Sequence, residues 1–234
     1  MYPSRQVLRK DVARRLRRGE SMVVYGPKGI GKTRLLLDLE ARLHAAGISC
    51  ARSPQTQCLD DVTRALEAAF PAIDTQDVAR RTARERLWNA ADLQGGVLLL
   101  DHLTAVTNAM VGFLRRLRGG VMGVISAVDV EVERERRRLR PWRLGALSVR
   151  MPPAPPELIR ALLQERMAAL KLPCVDRDAE RRLILAAKGR PGWILQCADL
   201  LADGRYWHGA QLFVSVVSTD TEIALRRGLP AHGF

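Results

Sequence analysis

The stretch SMVVYGPKGIGKTRLLLDLEARL, residues 21 to 43, decides the fold. Its opening, SMVVYG, reads as a short buried strand, and KTRLLLDLEARLHAAG, from residue 32 onward, reads as a helix that Gly47 closes. Between them GPKGIGKT, Gly26 to Thr33, fits the pattern G-x-x-x-x-G-K-[ST] in the strand-to-helix setting that the pattern needs. The glycines permit a tight loop whose backbone N–H groups point at phosphate, and the helix that follows offers its positive end. The expected nucleotide-binding residues are Gly26, Pro27, Lys28, Gly29, Ile30, Gly31, Lys32, Thr33 and Arg34. Lys32 is expected to reach the terminal phosphates of ATP, and the Thr33 hydroxyl to hold Mg2+.

Outward from this loop, strand and helix patterns alternate. An amphipathic helix over roughly 4 to 18 places Leu8, Val12 and Leu16 at four-residue spacing, with arginines between them. ISCAR, residues 48 to 52, reads as a second strand, and residues 58 to 94 as helical, broken at Pro71. GGVLLLD, residues 95 to 101, is a third strand with Asp101 at its end; a helix follows over 103 to 120, and VMGVISAVD, 121 to 129, is a fourth strand. After the charged stretch 130 to 145, ALSVRM is a fifth strand. This alternation predicts an α/β fold: a parallel sheet flanked by helices, in the manner of the P-loop nucleotide hydrolases. A carboxylate at the carboxyl end of a buried strand lies where such sheets hold ligands, so Asp101 is the second expected magnesium residue. PPAPP, 152 to 156, changes the character of the chain, and three helical patterns follow within 157 to 201. A last helix is expected near 211 to 227, although LFVSVV also reads as a strand. The expected division is a nucleotide-binding domain over 1–151 and a small helical lid over 152–234.

The formal charge is +13, with 38 Lys and Arg of which only five are lysine, against 25 Asp and Glu. Such an arginine excess favours a polyanionic partner, with DNA the expectation. Basic clusters occur at 5 to 18, 80 to 86, 115 to 118 and 134 to 143. The four cysteines show no metal-ligand spacing, and no run approaches the ~18 apolar residues of a membrane span. A cytoplasmic protein without membrane contact is expected.

With GPKGIGKT and VLLLDH in hand, the chain resembles the AAA+ and related STAND-type ATPases, and within them the small initiator and transposition-regulator branches. That resemblance implies an ATPase that assembles with itself when ATP is bound, and that recruits or regulates a partner protein. It also implies further site residues. A residue closing the fourth strand senses the terminal phosphate in that family, and Ser126 or Asp129 stands there. KGRPGW, 188 to 193, resembles the family's lid segment and makes Arg190 a phosphate sensor. An arginine before the fifth strand completes a neighbouring subunit's site, for which Arg140 and Arg143 are the nearest candidates. One departure matters: the family's water-polarising glutamate follows the strand-end aspartate, and His102 stands there. An imidazole accepts a proton but lacks the carboxylate's charge, so slow hydrolysis or a long-lived ATP state is expected. A carboxylate from elsewhere, Asp129 or Glu131, is the alternative base. Two other readings stay open: a STAND-like signalling switch without nucleic acid, and a small-molecule kinase.

Overall fold

A computed structural model describes residues 5–70, 80–103, 108–118, 122–129, 147–209 and 211–227. Pro71, Glu131, Arg140 and Arg143, with the whole cluster 134 to 143, lie outside the described residues, as do the side chains of Arg80, Arg81, Arg84 and Arg118. The chain forms two compact units, one of Met1–Gly26 with Lys32–Met151, the other of Pro27–Gly31 with Pro152–Phe234.

The first unit is built on five parallel strands in the order β2-β3-β4-β1-β5. These are β1 (Ser21–Gly26), β2 (Cys50–Ser53), β3 (Val97–Leu100), β4 (Gly123–Asp129) and β5 (Leu147–Arg150). The near-continuous burial of β1, β3 and β4 is what a sheet covered on both faces requires. Val23, Leu98, Leu100, Val124 and Val128 share one face and pack with Leu66, Leu87, Phe113 and Leu114. Those partners come from α3 (Leu59–Ala69), α4 (Arg80–Leu93) and α5 (Asn108–Arg118). Residues of opposite parity, Met22, Val24, Leu99 and Ile125, are equally buried on the other face, beside α1 (Arg5–Leu16) and α2 (Lys32–Ala45). Helix α2 is fixed there by Leu35, Leu36, Leu39 and Leu43, each fully buried and each stabilising the unit by about 1.5–3 kcal/mol. The end of α1 meets the start of β4 at Gly123, where any side chain would strike the Leu16 carbonyl.

The second unit packs α6 (Pro156–Ala169), α7 (Arg177–Ala187) and α9 (Val214–Arg227) around α8 (Pro191–Leu200). Helix α8 is apolar enough to be central: Trp193, Ile194, Cys197 and Ala198 are at most 1% exposed. The Asp176 carboxylate caps α7, accepting from the N–H groups of Asp178 and Ala179 at 2.9 Å. Near the end of the chain the two expectations for LFVSVV divide the stretch. Gln211–Leu212 forms β7, pairing antiparallel with β6 (Trp207–His208), and Val214 begins α9.

Candidate nucleotide site

The loop after β1 has the backbone its glycines allow. Gly29 and Gly31 take φ of 80° and 101°, in the left-handed region where a side chain is strained. A Cβ on Gly29 would also stand 3.0 Å from the Trp193 nitrogen, and the Gly192 N–H donates to the Gly29 carbonyl at 2.8 Å. Helix α2 starts at Lys32 and has no acidic residue in its first turn, so its positive end is not neutralised by its own sequence. Arg34, in that turn, is exposed and paired with Asp38 at 3.0 Å.

Lys32 is buried, and its Nζ donates to the Gly26 carbonyl at 2.8 Å and meets Asp129 Oδ1 at 2.6 Å. Asp129 closes β4, whose parallel pairing with β1 sets it opposite Gly26. His102 Nδ1 stands 3.8 Å from Asp129 Oδ2, an ion-pair distance rather than a hydrogen bond. Burial pushes the Asp129 carboxyl up, but the His102 imidazole and the Lys32 ammonium pull it down by more, to about 2. Of the two residues expected to sense phosphate from β4, Asp129 is therefore the one brought to Lys32. Ser126 pairs with Val23 and Leu100 three residues back, on the face of Val124 and Val128, with its hydroxyl buried and unbonded among the described residues.

Asp101 follows β3 and is 2% exposed. Its Oδ1 accepts from the Thr33 hydroxyl at 3.3 Å and from the His102 N–H at 3.0 Å, while its buried Oδ2 has no protein partner among the described residues. A carboxylate oxygen hidden from water and left unbonded is costly unless something else meets it. A hydroxyl beside a carboxylate is also the hard oxygen donor set that Mg2+ takes, with water completing its shell. The residues therefore fit magnesium. His102 holds a φ of 49°, in the left-handed region that Lys171 and Lys188 also take.

In the second unit Arg190 is buried, and its guanidinium grips Glu222 through two nitrogens, at 2.9 and 3.3 Å. The Trp193 indole N–H donates to the same carboxylate at 3.2 Å. The Arg190 hydrogen bond holds the Glu222 carboxyl below its ordinary range. Glu222 was not marked by any motif; it lies 32 residues beyond its partner, where neither spacing nor pattern points to it.

No protein-family model matches the chain, and no curated protein matches it in sequence. Solved structures match in fold. A DNA replication initiation factor is 14% identical, aligning over 95% of this chain and 60% of its own at a TM-score of 0.52, so this chain spans less than two thirds of that protein. The Orc1 protein of Aeropyrum pernix, solved in complex with DNA, is 17% identical over 98% of this chain and 69% of its own, at a TM-score of 0.54. Domain III of the Thermotoga maritima replication initiation protein DnaA is 11% identical over 98% of this chain and 93% of its own, also at 0.54. The fold is that of the AAA+ P-loop ATPases.

Proposed function

We propose that this chain binds and slowly hydrolyses ATP, that ATP drives it to assemble with itself, and that it binds DNA while recruiting or regulating a partner protein. The observation that carries the reading is the meeting of the phosphate loop's Lys32 and Thr33 with the strand-end carboxylates Asp101 and Asp129. The loop's N–H groups and the start of α2 would bind the phosphates. Lys32 would exchange its Asp129 partner for the terminal phosphate, one anion replacing another at the same ammonium. Thr33 and Asp101 would hold Mg2+, which when bound neutralises charge developing on the phosphoryl oxygens. His102 would take the proton of the attacking water, without the carboxylate charge that favours fast turnover.

Arg190 would read nucleotide from the lid, and to do so it must leave Glu222. That grip also favours a second reading, a nucleotide-operated switch in which opening and closing matters more than turnover. The intersubunit roles of Arg140 and Arg143 rest on sequence position alone. DNA is supported by the +13 charge and by the fold shared with an Orc1 protein solved in complex with DNA. Among the described residues no helix is long and apolar enough to cross a membrane.

Steady-state ATP turnover, with and without duplex DNA, tests the reading beside a Lys32→Ala control. The expected result is slow turnover that DNA raises and the substitution abolishes. ATP binding without turnover in either condition would leave the switch and remove the hydrolase.

A further inference from the structure

Helix α1 presents a face that the nucleotide chemistry does not use. Its apolar residues Leu8, Val12, Ala13 and Leu16 are buried, so the opposite side faces solvent. At 3.6 residues per turn Lys10 and Arg14 fall on one exposed stripe, which Arg17 and Arg18, also exposed, continue in the turn after the helix. Nearby acids are engaged by the flanking arginines: Asp38 by Arg9 at 2.8 Å, Glu20 by Arg15 at 2.9 Å, and Asp11 by Arg15 at 3.0 Å and by Arg14. Lys10, Arg17 and Arg18 have no ion pair among the described residues. A helix face kept basic for solubility alone commonly alternates its charges in pairs; this one leaves three cations unpaired.

We infer that this face of α1 is the surface that binds duplex DNA, with Lys10, Arg17 and Arg18 tracking the phosphates of one strand and Arg14 joining them by exchanging Asp11 for a phosphate. The inference rests on the nucleic-acid part of the proposed function and assigns it to one surface. From Lys10 to Leu16 the helix advances ~9 Å at ~1.5 Å per residue, and Arg17 and Arg18 extend the basic stretch in the turn beyond it. A strand of duplex DNA presents a phosphate every ~3.4 Å of axis, so the helical part spans about three phosphates and the two turn arginines stand at its end. The exposed face bears no aromatic side chain on which unstacked bases could rest, which argues against a single strand. It also exposes only Val7 among its large apolar residues, where a helix lying in a lipid surface needs a bulky apolar face; α1's own apolar face is already buried in the protein.

The test is fluorescence anisotropy of a labelled duplex with the full chain and with a Lys10→Gln, Arg14→Gln, Arg17→Gln, Arg18→Gln variant, across a salt series. Neutralising four phosphate contacts lowers the slope of log K against log salt by about 3 to 4, and weakens binding at low salt by at least about tenfold. Should the fourfold variant melt early, Arg17→Gln and Arg18→Gln singly each lower the slope by about 1, and neither packs in the core. Wild-type protein that binds the duplex while the variants keep its slope overturns the assignment to α1 and leaves DNA binding standing elsewhere. Wild-type protein that binds no duplex even at low salt removes the nucleic-acid reading itself. Binding to vesicles of anionic phospholipid but not to duplex makes the face a membrane contact and equally overturns the inference.

Discussion

Asp101 separates magnesium chemistry from simple folding, because its two oxygens do different things. Oδ1 is bonded within the protein, and Oδ2 has no partner among the described residues. Asp101→Asn keeps an oxygen for Thr33 and His102 and removes the charge, so the fold should hold while magnesium binding suffers. The expected loss is about 10–100-fold in the magnesium dependence of ATP binding, with ATP binding in EDTA nearly unchanged. Equal loss with and without magnesium would make Asp101 a structural residue. Asp129 yields a pH prediction. Its carboxyl lies at about 2 when folded against ~3.9 unfolded, so the stability it contributes is complete above the unfolded value and disappears as pH falls through the folded one. In denaturant melts, the gap between wild type and Asp129→Asn should persist down to about pH 4 and close from there toward pH 2. A gap that widens from pH 4 toward 2 would contradict the Lys32 pairing. These residues were legible in unequal degree. Lys32 and Thr33 follow from spacing and Asp101 from a strand end. Choosing Asp129 over Ser126 against Lys32 needs the strand's parity, and Glu222 needs the packing of α9 on α8.

At the scale of elements, the loop 27–31 is shaped by close backbone approach as much as by its own glycines. A Cβ on Gly192 would stand 2.9 Å from the Gly29 Cα, with backbone on both sides and no flexible tip to yield. Gly192→Ala should therefore cost about 1–3 kcal/mol and lower Tm by several degrees, read by a thermal melt, with ATP binding weakened because Gly29 must shift. An unchanged melt and unchanged ATP affinity would show that the contact is not kept in solution. The elements themselves were readable because apolar runs and helical spacing are local signals: β1, β2, β3, β4 and β5 each fall on the stretch expected. The junction at 211 to 214 was not, because Leu212, Val214 and Val217 are apolar at positions that suit either a strand or a buried helix face. The hairpin with Trp207–His208 decides it, and that pairing is tertiary.

At the scale of the molecule, the sheet order β2-β3-β4-β1-β5 could not be read from the chain, since strand neighbours follow from which crossovers pack, not from sequence order. It matters because it sets β1 between β4 and β5 and beside Asp129, and so brings a residue 97 positions from Lys32 within 2.6 Å of its ammonium. The positive balance of the chain was plain from composition, and the spacing of Leu8, Val12 and Leu16 already marked the inner side of α1, which burial bears out; which of its basic residues have acidic partners was not legible, since Arg9 meets Asp38 from another helix. The central proposal is that Lys32 and Thr33, with the strand-end carboxylates Asp101 and Asp129, bind ATP with magnesium. Its most direct test is calorimetric titration of ATP into the full chain, with Mg2+ and with EDTA, for wild type and Lys32→Ala. Saturable binding at about one ATP per chain, tightened by Mg2+ and lost in Lys32→Ala, is the predicted result. Absence of binding to wild-type protein, or binding that Lys32→Ala leaves intact, would contradict it.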